Sequence, residues 1–524
     1  MSLLGQKSKG DIARVMKIKR PVLYAGLSYH RTHRGTPIDF KNYPYIRQIY
    51  AEDSKDIGII KATQSGISEY LLCRALSLAE SGRNIFYVLP MDRLIGRFVK
   101  ERLDKTVKNT NYYSSLIVNS ENSTSNVTMK QIGAGTIVFA GSNSTASFVE
   151  FPADDAIIDE NDRCDQTNLL MVDDRLANSE FRTKCTVGQP TITDYGIHQK
   201  WKDSKQWLWR VKCPHCSEWI HPSFLDHVVV QEDEEDWTYQ DVEWSPSLQR
   251  DPFFMHCGKP FNPRSDGMWI ATYPSKTSSY YHIGKEFSTR ITVREMCEAF
   301  DRGLNDDSAM MRFYNSDLGL PYTPKGSKLL DRDLDTIVGD YIMPSMCERP
   351  CVMGIDVGSN IHIVINEILG NGTERMVWCG FVRELEDIIS LTQSYNIICG
   401  VIDANPELRL SRAVSSLPKF FRCYFHADRA NDKVDPINKK VNVNRTEILD
   451  SVIAKIRERR WILPRNAKSL PEFYDHMLAN TRIFNENKGD SGQYEWVGTK
   501  ADHLMFASVY ATIARRIVQN VAGS

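Results

Sequence analysis

Residues 59–69 read Ile-Ile-Lys-Ala-Thr-Gln-Ser-Gly-Ile-Ser-Glu. An apolar run enters a short polar loop with one glycine, and a helical pattern follows. A loop at a helix start presents backbone N–H groups to an anion. The usual phosphate loop is Gly-x-x-x-x-Gly-Lys-Ser/Thr. Here Gly66 and Ser68 keep the last glycine and the hydroxyl, Ile67 fills the usual lysine slot, and Lys61 stands where the first glycine would be. A long flexible stem lets a lysine ammonium reach the β- and γ-phosphates from that end as well. On this reading Lys61, Thr63, Gln64, Ser65, Gly66, Ile67 and Ser68 bind ATP. The N–H groups of Thr63 to Gly66 cradle phosphate oxygens, and Ser68 ligates Mg2+. Taken alone, the stretch also reads as a plain glycine turn before a helix.

Moving outward, residues 156–160 read Ala-Ile-Ile-Asp-Glu. This is a Walker B pattern: a buried strand delivers Asp159 to the magnesium shell and Glu160 to the attacking water. The competing reading is a strand end with two solvated acids. Ile57–Lys61 and Ile85–Leu89 read as buried parallel strands around a helical stretch Glu69–Ser81. Thr183–Thr191 reads as a further strand running into a turn, with Thr186 or Thr191 placed to sense the γ-phosphate, or as an ordinary strand and turn. Strand–helix alternation of this kind predicts an α/β domain on a parallel sheet, a P-loop ATPase of RecA/ASCE type.

A chain of 524 residues is too long for one core. Its 42% hydrophobic and 25% charged content is ordinary for a globular protein, and its net charge of −1 leaves nucleic-acid contacts to local patches. No apolar run has membrane-spanning length, and the first twenty residues lack a signal-peptide core. The twelve cysteines are mostly single and inside apolar runs (Cys73, Cys351, Cys379, Cys399), as in a reduced cytosolic protein.

The expected organisation is a polar lead-in (1–55), the ATPase domain (56–322), a linker (323–350) and a last domain (351–524). Within the ATPase domain, 206–275 reads as an inserted module with tryptophans, Cys213-Pro-His-Cys216 and the acidic run Glu232–Asp236. The last domain reads as three strands (Val352–Asp356, Ile361–Leu369, Arg375–Phe381), a helix, the strand Ile398–Asp403, a helix (Pro406–Leu417), a strand (Phe421–Phe425) and two longer helices. That is the order of an RNase H-like nuclease. Asp356 ends its first strand, Asp403 its fourth, and Asp502 opens the last helix. Such carboxylates bind two divalent ions, Mg2+ or Mn2+, for in-line phosphodiester cleavage. The alternative is three unrelated strand-end or cap aspartates. His503 reads as a surface histidine or as one that orients a metal-bound water.

An ATPase with an early lysine followed by an RNase H-like acid set resembles the large terminase subunit of tailed phages. The cysteine-bearing module and Phe313-Tyr-Asn-Ser-Asp-Leu-Gly-Leu-Pro-Tyr322 bring it closest to the lambda-like branch. The resemblance implies a motor that pumps double-stranded DNA into a preformed capsid and an endonuclease that cuts concatemers. It also implies a homo-oligomeric ring on the portal protein, a small terminase subunit as partner, and action in the host cell cytoplasm without a membrane. It assigns ATP and Mg2+ to Lys61, Gly66, Ser68, Asp159 and Glu160, and the nuclease site to Asp356, Asp403 and Asp502.

The chain departs from that pattern in two places. Relatives often carry arginine where Gln64 stands, so an arginine in trans is needed; Arg93, Arg97 and Arg102 are the candidates. A second Cys pair would need a cysteine at Phe254, leaving Cys213, Cys216 and Cys257 with His256, His215 or His221 as fourth ligand. Zn2+ and a metal-free knuckle held by packing both remain readings of that module. Residues 401–470 hold 15 Lys/Arg against 8 Asp/Glu, and Lys439, Lys440, Arg445, Arg457, Arg459 and Arg460 read as phosphate grips or as a solvated face. The alternative function is a helicase-nuclease of DNA repair or recombination.

Overall fold

The apolar run ahead of the phosphate loop forms a strand, β1 (Asp56–Lys61), buried from its second residue on. The loop turns into α1 (Ile67–Glu80), and β2 (Ile85–Leu89) returns fully buried. Strands covered on both faces read as continuous apolar runs, which is why both were legible. This computed structural model describes residues 9–117, 126–149, 151–232, 235–238, 251–324, 326–370, 372–405, 407–426, 432–485 and 493–522. Residues 233–234 of the acidic run and Pro406 lie outside the described residues.

The chain divides into two units, Met1–Pro324 and Lys325–Ser524. In the first, β3 (Met129–Ile132), β4 (Gly135–Gly141), β5 (Asp155–Ile158), β6 (Thr183–Gly188), β7 (Trp207–Lys212), β8 (Gly267–Ala271) and β9 (Ser279–Ile283) join β1 and β2 in one sheet. Its order is β8-β7-β9-β1-β6-β5-β2-β4-β3. The run from β9 through β4 is parallel. One strand, β6, separates the loop-bearing β1 from the acid-bearing β5, as in RecA/ASCE ATPases. Gly58 faces Tyr280 across β1 and β9, and a Cβ there would lie 1.9 Å from the Tyr280 ring.

The sheet revises the expected insertion. β7 and β8 fall inside 206–275 yet extend the ATPase sheet, and Trp219–Ile220 between them pairs with β7; among the described residues Val228–Glu232, Glu235–Thr238, Phe253–His256 and Lys259–Pro260 form a separate small sheet. Strand pairing between Trp209 and Trp269 is a long-range event that local pattern does not announce.

A buried ion pair ties α1 to the sheet. Arg74 reaches both oxygens of Asp155, Nε at 3.2 Å and Nη2 at 2.6 Å, and Thr183 donates to the same carboxylate. Arg74 is 4% exposed and Asp155 fully buried. Removing one partner leaves the other charge in a dry interior. Arg74→Ala is expected to cost about 3–5 kcal/mol, read as a lower denaturant midpoint; an unchanged midpoint would remove this structural role.

Glu286, just past β9, is also buried. Its Oε1 accepts from the Phe224 N–H at 3.4 Å, and its Oε2 has no partner among the described residues. Burial pushes its carboxyl up to about 8. In the unfolded chain the group titrates at its ordinary, lower pKa. As pH rises from there to about 8, the unfolded ensemble gives up the proton and the folded state keeps it, so this group erodes stability across that window. Glu286→Gln is expected to flatten the pH dependence and to raise stability near pH 8 by about 1–3 kcal/mol. Parallel melting profiles for the two proteins would contradict this.

In the second unit, β10 (Cys347–Val357), β11 (Ile361–Ile368) and β12 (Glu374–Val382) are antiparallel. After α2 (Leu385–Ser394), β13 (Tyr395–Asp403) lies parallel to β10. After α3 (Leu408–Ser416), β14 (Phe420–His426) lies parallel to β13, and β15 (Lys440–Asn444) to β14. This is the RNase H-like sheet. α4 (Arg445–Arg457) and α5 (His503–Ala522) follow. Gly354 lets α5 lie directly on β10: a Cβ there would meet the Ala507 carbonyl at 2.0 Å. The expected linker 323–350 is largely packed chain. Leu329, Leu334 and Ile337 are buried in this unit's core, and Leu463 exchanges hydrogen bonds with Ile337 and Gly339.

Candidate functional sites

The phosphate loop owes its shape to two left-handed residues, Gln64 (φ +58) and Gly66 (φ +81). Gly66 is exposed with open space beside it, and the Ser65 hydroxyl is buried without a partner among the described residues. No described residue engages the N–H groups of Gln64, Ser65 or Gly66. A buried orphan hydroxyl and unengaged N–H donors at the mouth of α1 fit an anionic ligand. Ile67 is buried and Ser68 half-buried in the first turn of α1. Thr63 is engaged elsewhere: its N–H (2.8 Å) and hydroxyl (3.0 Å) both donate to the Ser316 carbonyl, which anchors the loop.

Lys61 lies under the loop, 7% exposed, with Nζ 3.2 Å from Glu160 Oε1. Asp159 is buried beside them and accepts from the Tyr87 hydroxyl at 3.0 Å. Burial and the Glu160 charge push the Asp159 carboxyl up, opposed by Lys61 and Tyr87. Glu160 takes a left-handed conformation (φ +56) that turns its side chain off the strand axis towards Lys61. Such conformations in non-glycine residues concentrate at functional sites. The loop lysine and both Walker B acids thus meet at one end of the sheet.

A second layer fastens this end, and sequence reasoning had singled out only parts of it. Asp162 accepts from the N–H and hydroxyl of Thr191 and from the Ile197 N–H. Asn315 donates to the carbonyls of Thr191 and Leu320, both at 2.9 Å. Gly319 (φ +65) packs so close that a Cβ would lie 2.9 Å from the Ala62 nitrogen. Phe313–Tyr322 therefore braces the phosphate loop and the turn after β6. Thr186 is buried beside Tyr280, whereas the Thr191 hydroxyl is committed to Asp162. Of the arginine candidates, Arg93 and Arg97 are exposed, while Arg102 lies 3.7 Å from Glu69 on α1.

In the Cys-bearing module, the sulfurs of Cys213, Cys216 and Cys257 lie within 4.8 Å of one another, with Cys213 and Cys257 at 3.8 Å. The Cys216 backbone helps lower the Cys213 thiol to about 7. His256 groups instead with Cys216 and Glu218, 3.2 Å from the latter. His215 bonds the Pro260 carbonyl and His221 the Trp209 carbonyl. The three-thiol set is preformed, and none of the expected histidines completes it.

In the second unit, Asp356 and Asp403 end adjacent strands, with Ile355 opposite Ile402. Asp502 immediately precedes α5 and accepts from the Asn480 amide at 3.1 Å. All three carboxyls are pushed above their usual range, chiefly by burial. Asp403 rises to about 6 with the Asp356 charge contributing, and Asp356 feels Asp502. The three acids are electrostatic neighbours, but the set within 4.8 Å around Asp356 consists of Asp356, His362 and His503. His503 is no free surface residue: its Nδ1 lies 2.8 Å from Asp356 Oδ2, which raises the imidazole pKa. His362 and His476 were not anticipated. His362 sits across the strands from Asp356, a pairing that only register reveals.

The basic residues expected to grip DNA are mostly engaged within the unit. Lys439 bonds the carbonyls of Ser415 and Leu417, Arg445 that of Trp496, Arg457 those of Gly326 and Lys328, and Arg460 pairs with Glu458. Lys440 stands 5.9 Å from the Tyr424 ring, and Arg459 is exposed in a left-handed turn.

Residues 33–260 match the family model described as phage terminase large subunit gpA, ATPase domain. No curated protein matches the chain. Among solved structures, the HK97 bacteriophage large terminase aligns over 94% of this chain and 98% of its own, with a TM-score of 0.54 and 10% identity, which speaks to the shared fold. A large terminase from a thermophilic bacteriophage covers 91% and 98% at 11% identity, with a TM-score of 0.32. The large terminase nuclease from thermophilic phage G20c covers 37% and 91% at 12%, with a TM-score of 0.23.

Proposed function

We infer that the chain is the large subunit of a phage terminase: an ATP-driven packaging motor whose second unit is a DNA endonuclease. The observation that carries the reading is the match of residues 33–260 to the terminase ATPase family, in a chain whose following unit carries aspartates at the ends of an RNase H-like sheet. Lys61 and the N–H groups of Gln64, Ser65 and Gly66 would hold the polyphosphate, with Ser68 and Asp159 towards Mg2+. Glu160, freed when Lys61 turns to phosphate, would orient the attacking water. Asp356, Asp403 and Asp502 would hold divalent ions, Mg2+ or Mn2+, whose chemistry is to activate water and neutralise the leaving oxygen. Cys213, Cys216 and Cys257 would hold Zn2+.

The partners on this reading are double-stranded DNA, a portal protein, a small terminase subunit and further copies of the chain in a ring, in the host cell cytoplasm. Of the three candidate arginines, exposed Arg93 and Arg97 would be the ones to reach a neighbouring copy. Among the described residues no helix is long and apolar enough to cross a membrane. The test is displacement of a triplex-forming strand from linear duplex in the presence of ATP, which translocation produces without separating the duplex. Unwinding of a forked duplex would replace the motor with the helicase reading.

A further inference from the structure

Glu160 takes its left-handed conformation at the head of the short helical turn Asn161–Arg163. A non-glycine residue held there persists only where its surroundings over-determine it. Asn161 supplies the first restraint. It is fully buried against the tip of β6, where a Cβ on Gly188 would lie 3.1 Å from the Asn161 nitrogen. Its side-chain amide is gripped at both ends. Nδ2 donates to Asp162 Oδ1 at 3.2 Å, and Oδ1 accepts from the Lys200 ammonium at 3.1 Å. Lys200 belongs to the helix Gly196–Lys202, whose start lies directly on Asp162. The Ile197 N–H donates to Asp162 Oδ1 at 2.7 Å, and a Cβ on Gly196 (φ +53) would lie 2.1 Å from that oxygen. One turn of helix thus fastens both residues that follow Glu160.

Lys200 is held in a costly state for that purpose. Burial pushes its ammonium below the ordinary lysine value, with Lys184 adding to the effect and Asp56, Asp162 and Asp173 opposing it. Among the described residues it forms no ion pair and directs its charge at a neutral amide oxygen. Hydrogen bonds from an ionised donor are shorter and roughly twice as strong as neutral ones, so this contact fixes the orientation of the amide. We propose that Lys200 is a positioning residue for ATP hydrolysis: by locking Asn161 it holds Glu160 in the conformation that turns its carboxylate towards Lys61 and the phosphate loop. This deepens the ATPase reading and rests on it.

The test measures steady-state ATP hydrolysis by the full-length chain. Lys200→Met is expected to lower kcat by about 10–10²-fold, the scale for a slightly misplaced reacting group, with KM for ATP unchanged. Lys200→Arg, which still donates to the Asn161 oxygen, is expected to keep most of the rate. Asn161→Ala should lose as much as Lys200→Met, and the double variant no more than either, because residues acting through one contact are not additive. An unchanged kcat in Lys200→Met overturns the proposal, as does a loss carried by KM, or losses that multiply in the double variant. Should Lys200→Met fail to fold, Lys200→Gln, which keeps a polar end at this half-buried position, is read in the same way. Hydrolysis that depends on Glu160 but not on Lys200 rejects this assignment alone. Hydrolysis indifferent to Glu160→Gln rejects the ATPase reading of the site.

Discussion

Glu160→Gln is expected to lower ATP turnover by about 10²–10⁴-fold, the range for loss of a general base or water-orienting group, while nucleotide binding survives. The geometry gives the reason for the split. Glu160 touches Lys61 but contributes nothing to the loop donors, so the amide leaves Lys61, Ser65 and Gly66 in place. Removing the carboxylate also removes the internal partner that competes with phosphate for the Lys61 ammonium. A fluorescent nucleotide should therefore bind as well or better. Turnover equal to that of the unsubstituted chain would show that Glu160 does not act on water.

Asp356→Asn is expected to abolish plasmid cleavage, by about 10³-fold or more if the lost cation stabilisation is worth several kcal/mol, with the ATPase rate unchanged. Asn keeps the volume and can still meet His503, so the fold should persist. What it removes is the central charge: Asp356 helps raise the Asp403 carboxyl and is itself raised by Asp502. Cleavage that persists in the variant, with intact circular dichroism, would place the nuclease centre elsewhere.

The local signals in the sequence carried far. Ile57–Lys61 and Ile85–Leu89 coincide with buried strands because parallel strands sheathed on both faces have no polar alternation to blur them. The three aspartates of the second unit were legible because each sits at the junction of an apolar run and a turn. What escaped was long-range. Trp207–Lys212 and Gly267–Ala271 pair across more than fifty residues, and no local pattern says which sheet they join. His362 looked like one more residue of an apolar strand until register set it against Asp356. The basic excess after residue 401 was legible only as a count of charges: composition does not tell that Lys439 and Arg457 also bond carbonyl oxygens of their own unit.

The Arg74–Asp155 pair has a mechanical corollary. One buried carboxylate bolts the helix after the phosphate loop to the base of the acid-bearing strand, and Thr183 joins the neighbouring strand to the same bolt. Those three elements are thereby welded into a stator. On the proposed motor reading a stroke would come from parts outside this block, so crosslinks within it should leave ATP-driven triplex displacement intact.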